Sequence, residues 1–180
     1  MQWSVIRTLD EMNALAGEWN DLLACSASHV PFLRHEYLSG WWKTLGGGEW
    51  PSGELFVTLA RSPDGKLAGI APLFFTKNLD GEAALMFLGS IEISDYLDVI
   101  ACREQLPEFV DGLLDFLSGP QAPAWKLLDL YNILDSSPLL PVLQEKAAAA
   151  QWDFQQEALQ HCPAIILPGD WETYLAGIDK

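Results

Sequence analysis

Leu55-Phe-Val-Thr-Leu-Ala60, Ser62-Pro-Asp-Gly65 and Leu67-Ala-Gly-Ile-Ala-Pro-Leu-Phe-Phe75 follow one another, and their reading decides the fold. The two outer runs are rich in branched and aromatic residues that suit a pleated, buried surface, and the middle one is a tight-turn sequence. Residues 55–75 therefore read as a β-hairpin inside a sheet. Residues 83–88 supply a further strand, and Leu97-Asp98-Val99-Ile100-Ala101 a short one.

Upstream of the hairpin, residues 2–8 alternate as a first strand, and Asp10 is placed to cap a helix. Met12, Leu15, Ala16, Trp19, Leu22 and Leu23 fall on one face of it. A second helix spans roughly 35–44 and is ended by Gly46-Gly47-Gly48 and Pro51. Downstream, a helix from about 104 to 117 buries Leu106, Val110, Leu113, Leu114 and Leu117 and stops at Gly119-Pro120. A strand at 125–130, a helix at 137–150 and extended segments at 152–160 and 164–167 follow. Asp170 caps a last helix of about three turns, and the expectation is a chain cut within or just after that helix. The order is mixed α/β, with residues 1–180 as one domain.

The 180 residues are 49% hydrophobic and 11% aromatic, enough for a sizeable core. Ten Lys and Arg against twenty-five Asp and Glu leave a net charge of −15, which repels nucleic acid and anionic lipid surfaces. No basic leader precedes an apolar run, and no run approaches the ~20 residues that span a bilayer, so a cytoplasmic protein without a membrane span is expected. Cys25, Cys102 and Cys162 are far apart, odd in number and without C-x-x-C spacing. They read as buried thiols, with neither a disulfide framework nor a metal site.

A family resemblance rests on Glu18-Trp-Asn-Asp-Leu22, Pro31-Phe32, His35-Glu-Tyr37 with Trp41-Trp42, Asp64-Gly-Lys-Leu-Ala-Gly-Ile-Ala-Pro-Leu73, Leu88-Gly89, Asp95-Tyr-Leu-Asp98 and Ile166-Leu167-Pro168. Together they resemble the amino-terminal half of a GNAT-like bacterial acetyltransferase family associated with cellulose biosynthesis and related to Fem-type peptidyl transferases. The resemblance implies a central mixed sheet with helices on both faces. It also implies transfer of an acyl group from acetyl-CoA or another acyl-CoA to an amine, with a small-molecule, saccharide or peptide acceptor. Members are longer, with two such halves, so the carboxy-terminal half of the same protein is the implied partner.

An acyl-CoA transferase needs a backbone cradle for the pyrophosphate, normally an Arg/Gln-x-x-Gly-x-Gly/Ala loop that opens a helix. This sequence has none, and Gly46-Gly47-Gly48 lies after a helix and before Glu49 and Trp50. No cofactor is expected for this chain alone; the acyl-CoA is the co-substrate of the full-length protein.

Asp95, Tyr96 and Asp98 form the best polar constellation. On a strand Asp95 and Leu97 face one way and Tyr96 and Asp98 the other. The functional reading makes one carboxylate a general base or amine anchor and Tyr96 a proton donor; strand-entry capping is the plainer alternative and is favoured. Arg34 can bind an anionic substrate and His35 can act as an acid or base, against a plain reading as a solvated first turn. Trp41, Trp42 and Trp50 can stack on a ligand ring or anchor a core. A non-catalytic interaction module and a carbohydrate-binding domain are the alternatives to the acyltransferase half.

Overall fold

In the computed structural model, which describes residues 1–163 and 165–178, the predicted hairpin is the spine of one mixed sheet. Its strands β2 (Glu54–Arg61) and β3 (Leu67–Lys77) pair antiparallel from Glu54 opposite Phe75 to Ala60 opposite Gly69. Gly65 closes the turn with φ 85°, its N–H donating to the Ser62 carbonyl at 2.9 Å. Both strands are buried on both faces, which is why they read as continuous apolar runs.

β1 (Gln2–Ile6) lies antiparallel along β2, and β4 (Ala83–Phe87) antiparallel along residues 73–77 of β3. The remaining length of that β3 edge is taken by β5 (Ile100–Ala101), opposite Gly69 and Ile70. β6 (Leu127–Asp129) adds parallel to β4, giving the order β1-β2-β3-β4-β6. The chain between β4 and β5 must therefore leave the sheet and come back.

Helices cover both faces. On one, Phe74 meets Trp41 and Trp42 of α3 (His35–Thr44) together with Trp50, at centroid distances of 5.4, 6.1 and 5.6 Å. On the other, Gly69 lies under Phe109 of α4 (Leu106–Leu117). Ala71 and Leu73 there line an apolar cavity of about 10 Å³ with Val110, Leu113, Leu139 and Leu143 of α4 and α5 (Leu139–Ala149). The α/β class, the hairpin and the second helix are as expected.

Several local expectations need correction. Thr8, not Asp10, caps the first helix: its hydroxyl accepts from Glu11 N–H at 3.3 Å, and Glu11 Oε2 accepts from Thr8 N–H at 3.0 Å. This is a capping box, decided by the Thr-x-x-Glu spacing. The helix then breaks at Leu15, giving α1 (Leu9–Ala14) and α2 (Ala16–Cys25). The strand expected over 97–101 shrinks to its last two residues, because Tyr96 is left-handed at φ 59° and both Leu97 and Asp98 turn inward. Residues 152–160 and 165–167 form no strand, and Ala164 lies outside the described residues. Asp170 caps α6 (Trp171–Ala176) as predicted, accepting from Thr173 N–H at 2.9 Å.

The cysteine expectation is overturned. Cys25 and Cys102 form a disulfide with Cα atoms 5.4 Å apart, 77 residues apart in sequence. An isolated antiparallel bridge between Ser26 and Cys102 brings them together, a contact that sequence spacing does not encode. None of the three is buried: Cys25 and free Cys162 are exposed, Cys102 half-buried. Among the described residues no helix is long and apolar enough to cross a membrane.

Candidate functional site

β4 and β6, the parallel pair, end side by side, and Tyr37, Ser94 and Asn132 hydrogen-bond around the loop that leaves β4. Ligands of open α/β sheets bind at such carboxyl ends. The loop turns at Gly89, where φ is 101° and a Cβ would lie 2.9 Å from the side chains of Leu97 and Ser94. Asn132, left-handed at φ 61° just beyond β6, donates its amide to the carbonyls of Ile91 and Ser94, each at 2.7 Å. Its own carbonyl accepts from Leu97 N–H at 2.9 Å. From α3, the Tyr37 hydroxyl donates to the Ile93 carbonyl at 2.7 Å and shares a second 2.7 Å hydrogen bond with Ser94 Oγ.

Asp98 follows this loop in the chain, is only 3% exposed, and has partners of its own. Its Oδ1 accepts from Val99 N–H at 2.8 Å. Oδ2 accepts from Ser137 Oγ at 2.5 Å and from Ser28 Oγ. Ser137 in turn accepts from Leu139 N–H at 3.1 Å, so the carboxylate is tied to the first turn of α5. Burial pushes its pKa above the ordinary carboxylate value, and the hydrogen bonds from Ser137, Ser28 and Val99 pull it back. No Lys, Arg or His pairs with it among the described residues. A carboxylate of raised pKa has the proton affinity of a general base. Here three donors occupy the buried carboxylate, so in this conformation it is an anchor that joins the Ser28 loop, the segment before β5 and α5.

The other predicted residues are not brought to Asp98. Asp95 is exposed; Tyr96 is half-buried, with its ring 6.5 Å from Phe32. A hydrogen bond and charge interaction with Cys162 raise the Tyr96 phenol pKa. The alternation of facing expected along 95–98 is lost, since no strand exists there. Arg34 precedes α3 and pairs at 3.2 Å with Glu36, on the surface. Glu36 Oε1 and Oε2 also accept from Asn20, at 3.0 and 3.1 Å. These contacts, after the Glu36 backbone itself, bring its carboxyl down to about 2.

His35 is 6% exposed rather than solvated, edge-on to Trp19 at 5.9 Å, with Nε2 unpartnered. Burial holds its pKa below the ordinary imidazole value. Trp41 and Trp50 are buried and Trp42 half-buried around Phe74, so these rings anchor the core and form no exposed platform for a sugar. An open groove of about 350 Å³ does run along α3, lined by Glu36, Tyr37, Gly40, Trp41, Thr44 and Ile93.

Sequence reasoning passed over Ser28, Tyr37, Ser94, Asn132 and Ser137. Single serines in loops carry no signal; Asn132, a residue type that tolerates left-handed backbone, at the end of a strand was the one usable sign.

Among the described residues no helix start offers an anion cradle. Asp10 and Glu11, Glu18, Glu36, Glu108 and Glu172 put acids into the first turns of α1, α2, α3, α4 and α6. Pro107 removes a donor from the start of α4, and α5, preceded by Pro138, has no acid in its first turn but also no glycine loop before it. Compared with protein-family models, curated proteins and solved structures, the chain matches none of them.

Proposed function

We propose that this chain is a GNAT-like half of an acyl-CoA-dependent N-acyltransferase and contributes the acceptor side, while the acyl-CoA is held by another half of the same protein. The mixed sheet with helices on both faces is the architecture that the sequence resemblance implies. The observation that carries the acceptor side is the α3 groove, lined by Glu36, ionised down to about pH 2 and paired with Arg34 and Asn20, and by the exposed Ile93. A carboxylate next to an apolar wall suits an organic amine. The acids in the helix first turns and the missing glycine loop oppose a pyrophosphate at this half.

Titration calorimetry of the chain with acetyl-CoA tests this. No saturable heat is expected up to millimolar ligand; a micromolar Kd would overturn the division of labour. A non-catalytic interaction module is the second reading, favoured by the exposed Ile165, Ile166, Leu167, Trp171, Leu175 and Ile178. Acyl transfer by the chain joined to a CoA-binding half, lost in Glu36→Gln, separates the first reading from the second.

A further inference from the structure

The Ser28 loop and the segment 98–102 touch at three successive levels. Ala27 N–H donates to the Ala101 carbonyl at 2.9 Å, and Ala101 N–H donates to Ser26 Oγ at 3.2 Å. At one end of this seam the Cys25–Cys102 disulfide closes it covalently; at the other, Ser28 donates to buried Asp98. We propose that the Cys25–Cys102 disulfide is a reducible clamp on this seam, so that a dithiol reductant loosens the Ser28 loop from Asp98 without unfolding the protein.

Three features support this. Cys25 is an exposed residue and Cys102 half-buried, which places the disulfide at the surface, where disulfides are the more labile. The Ala27–Ala101 hydrogen bond and the Ser26–Cys102 bridge keep the two cysteines near each other after reduction even as the seam opens more often, so the bond can re-form in the folded protein. The seam meets the sheet only through β5, two residues opposite Gly69 and Ile70 of β3, while the β1–β2–β3–β4 ladder makes its other pairings without it.

The chemistry balances with a dithiol as co-reactant. Its first thiolate attacks Cys25 Sγ; the S–S bond breaks, and Cys102 leaves as a thiolate that takes a proton. The second thiolate of the reductant then attacks the mixed disulfide and releases Cys25, which is protonated. Two electrons pass to the protein, and the reductant ends as a disulfide.

Dithiothreitol is the probe. In the aerobically purified chain one cysteine, Cys162, should alkylate in native buffer, and after dithiothreitol without denaturant all three should. Reduction should lower the thermal midpoint by roughly 5–15 °C and speed amide exchange at Ala27 and Val99 by about tenfold or more. A Cys25→Ser/Cys102→Ser double variant should give the reduced protein's exchange rates with or without dithiothreitol. Three alkylating thiols before reduction, a need for denaturant to reduce the bond, or exchange at Ala27 and Val99 that ignores reduction and the double variant would each overturn the clamp.

Discussion

Replacing Asp98 separates an anchor from a spare acid. In Asp98→Ala three donors lose their acceptor at once: Val99 N–H, the Ser137 hydroxyl and the Ser28 hydroxyl. A hydrogen bond to a charged group is worth about 1.5–3 kcal/mol net, and a buried donor left unpaired costs about 1–3 kcal/mol. The serine hydroxyls can rotate and recover part of this, and the desolvation of a carboxylate 3% exposed is relieved. The balance is a loss of about 3–5 kcal/mol, which in a chain of 180 residues is a fall of roughly 6–20 °C in Tm. Asp98→Asn keeps an acceptor for Val99 and can donate to a serine oxygen, so its cost at neutral pH is about 1 kcal/mol.

The two forms also part with pH. Because burial raises the Asp98 pKa above 3.8, the folded state binds the proton more tightly than the unfolded one. Its contribution to stability is therefore full below 3.8 and is lost as pH rises through the folded value. Guanidinium melts at pH 7 and pH 4 should show wild type gaining on Asp98→Asn on acidification. Asp98→Ala within ~0.5 kcal/mol of wild type, or a gap between wild type and Asp98→Asn that does not change with pH, would refute the anchor.

Gly69→Ala puts a Cβ 2.1 Å from the Phe109 ring; a loss of about 1–3 kcal/mol is expected, partly recovered in Gly69→Ala/Phe109→Leu, and a double-mutant cycle with no coupling would contradict the packing. Thr8→Ala removes the side-chain half of the capping box at α1, leaving the residue 8 N–H on Glu11 Oε2, and should lower stability by about 1 kcal/mol in denaturant melts. His35, its pKa lowered from 6.5 by burial, is neutral in the fold but charges more easily unfolded, so wild type should lose stability as pH falls below 6.5 while His35→Gln does not share that loss.

The hairpin, the second helix and the α/β class were legible in the sequence because their signals are local: branched residues over 55–60, a Pro-Asp-Gly turn, and a helix ended by three glycines. The Thr8-Leu-Asp-Glu11 box was legible too, although side-chain type alone pointed to Asp10. Tertiary structure decided the rest. That Cys25 meets Cys102 follows from a bridge between segments 77 residues apart, and no spacing rule reaches that far. Asp98 shows the same division: its acidity was plain in the sequence, but its burial depends on Ser28 and Ser137, 70 and 39 residues away. Propensity and capping act within one or two turns of chain, whereas the partners of a buried charge are chosen by packing. Packing alone made Asp98 an anchor and the surface around Glu36 a groove.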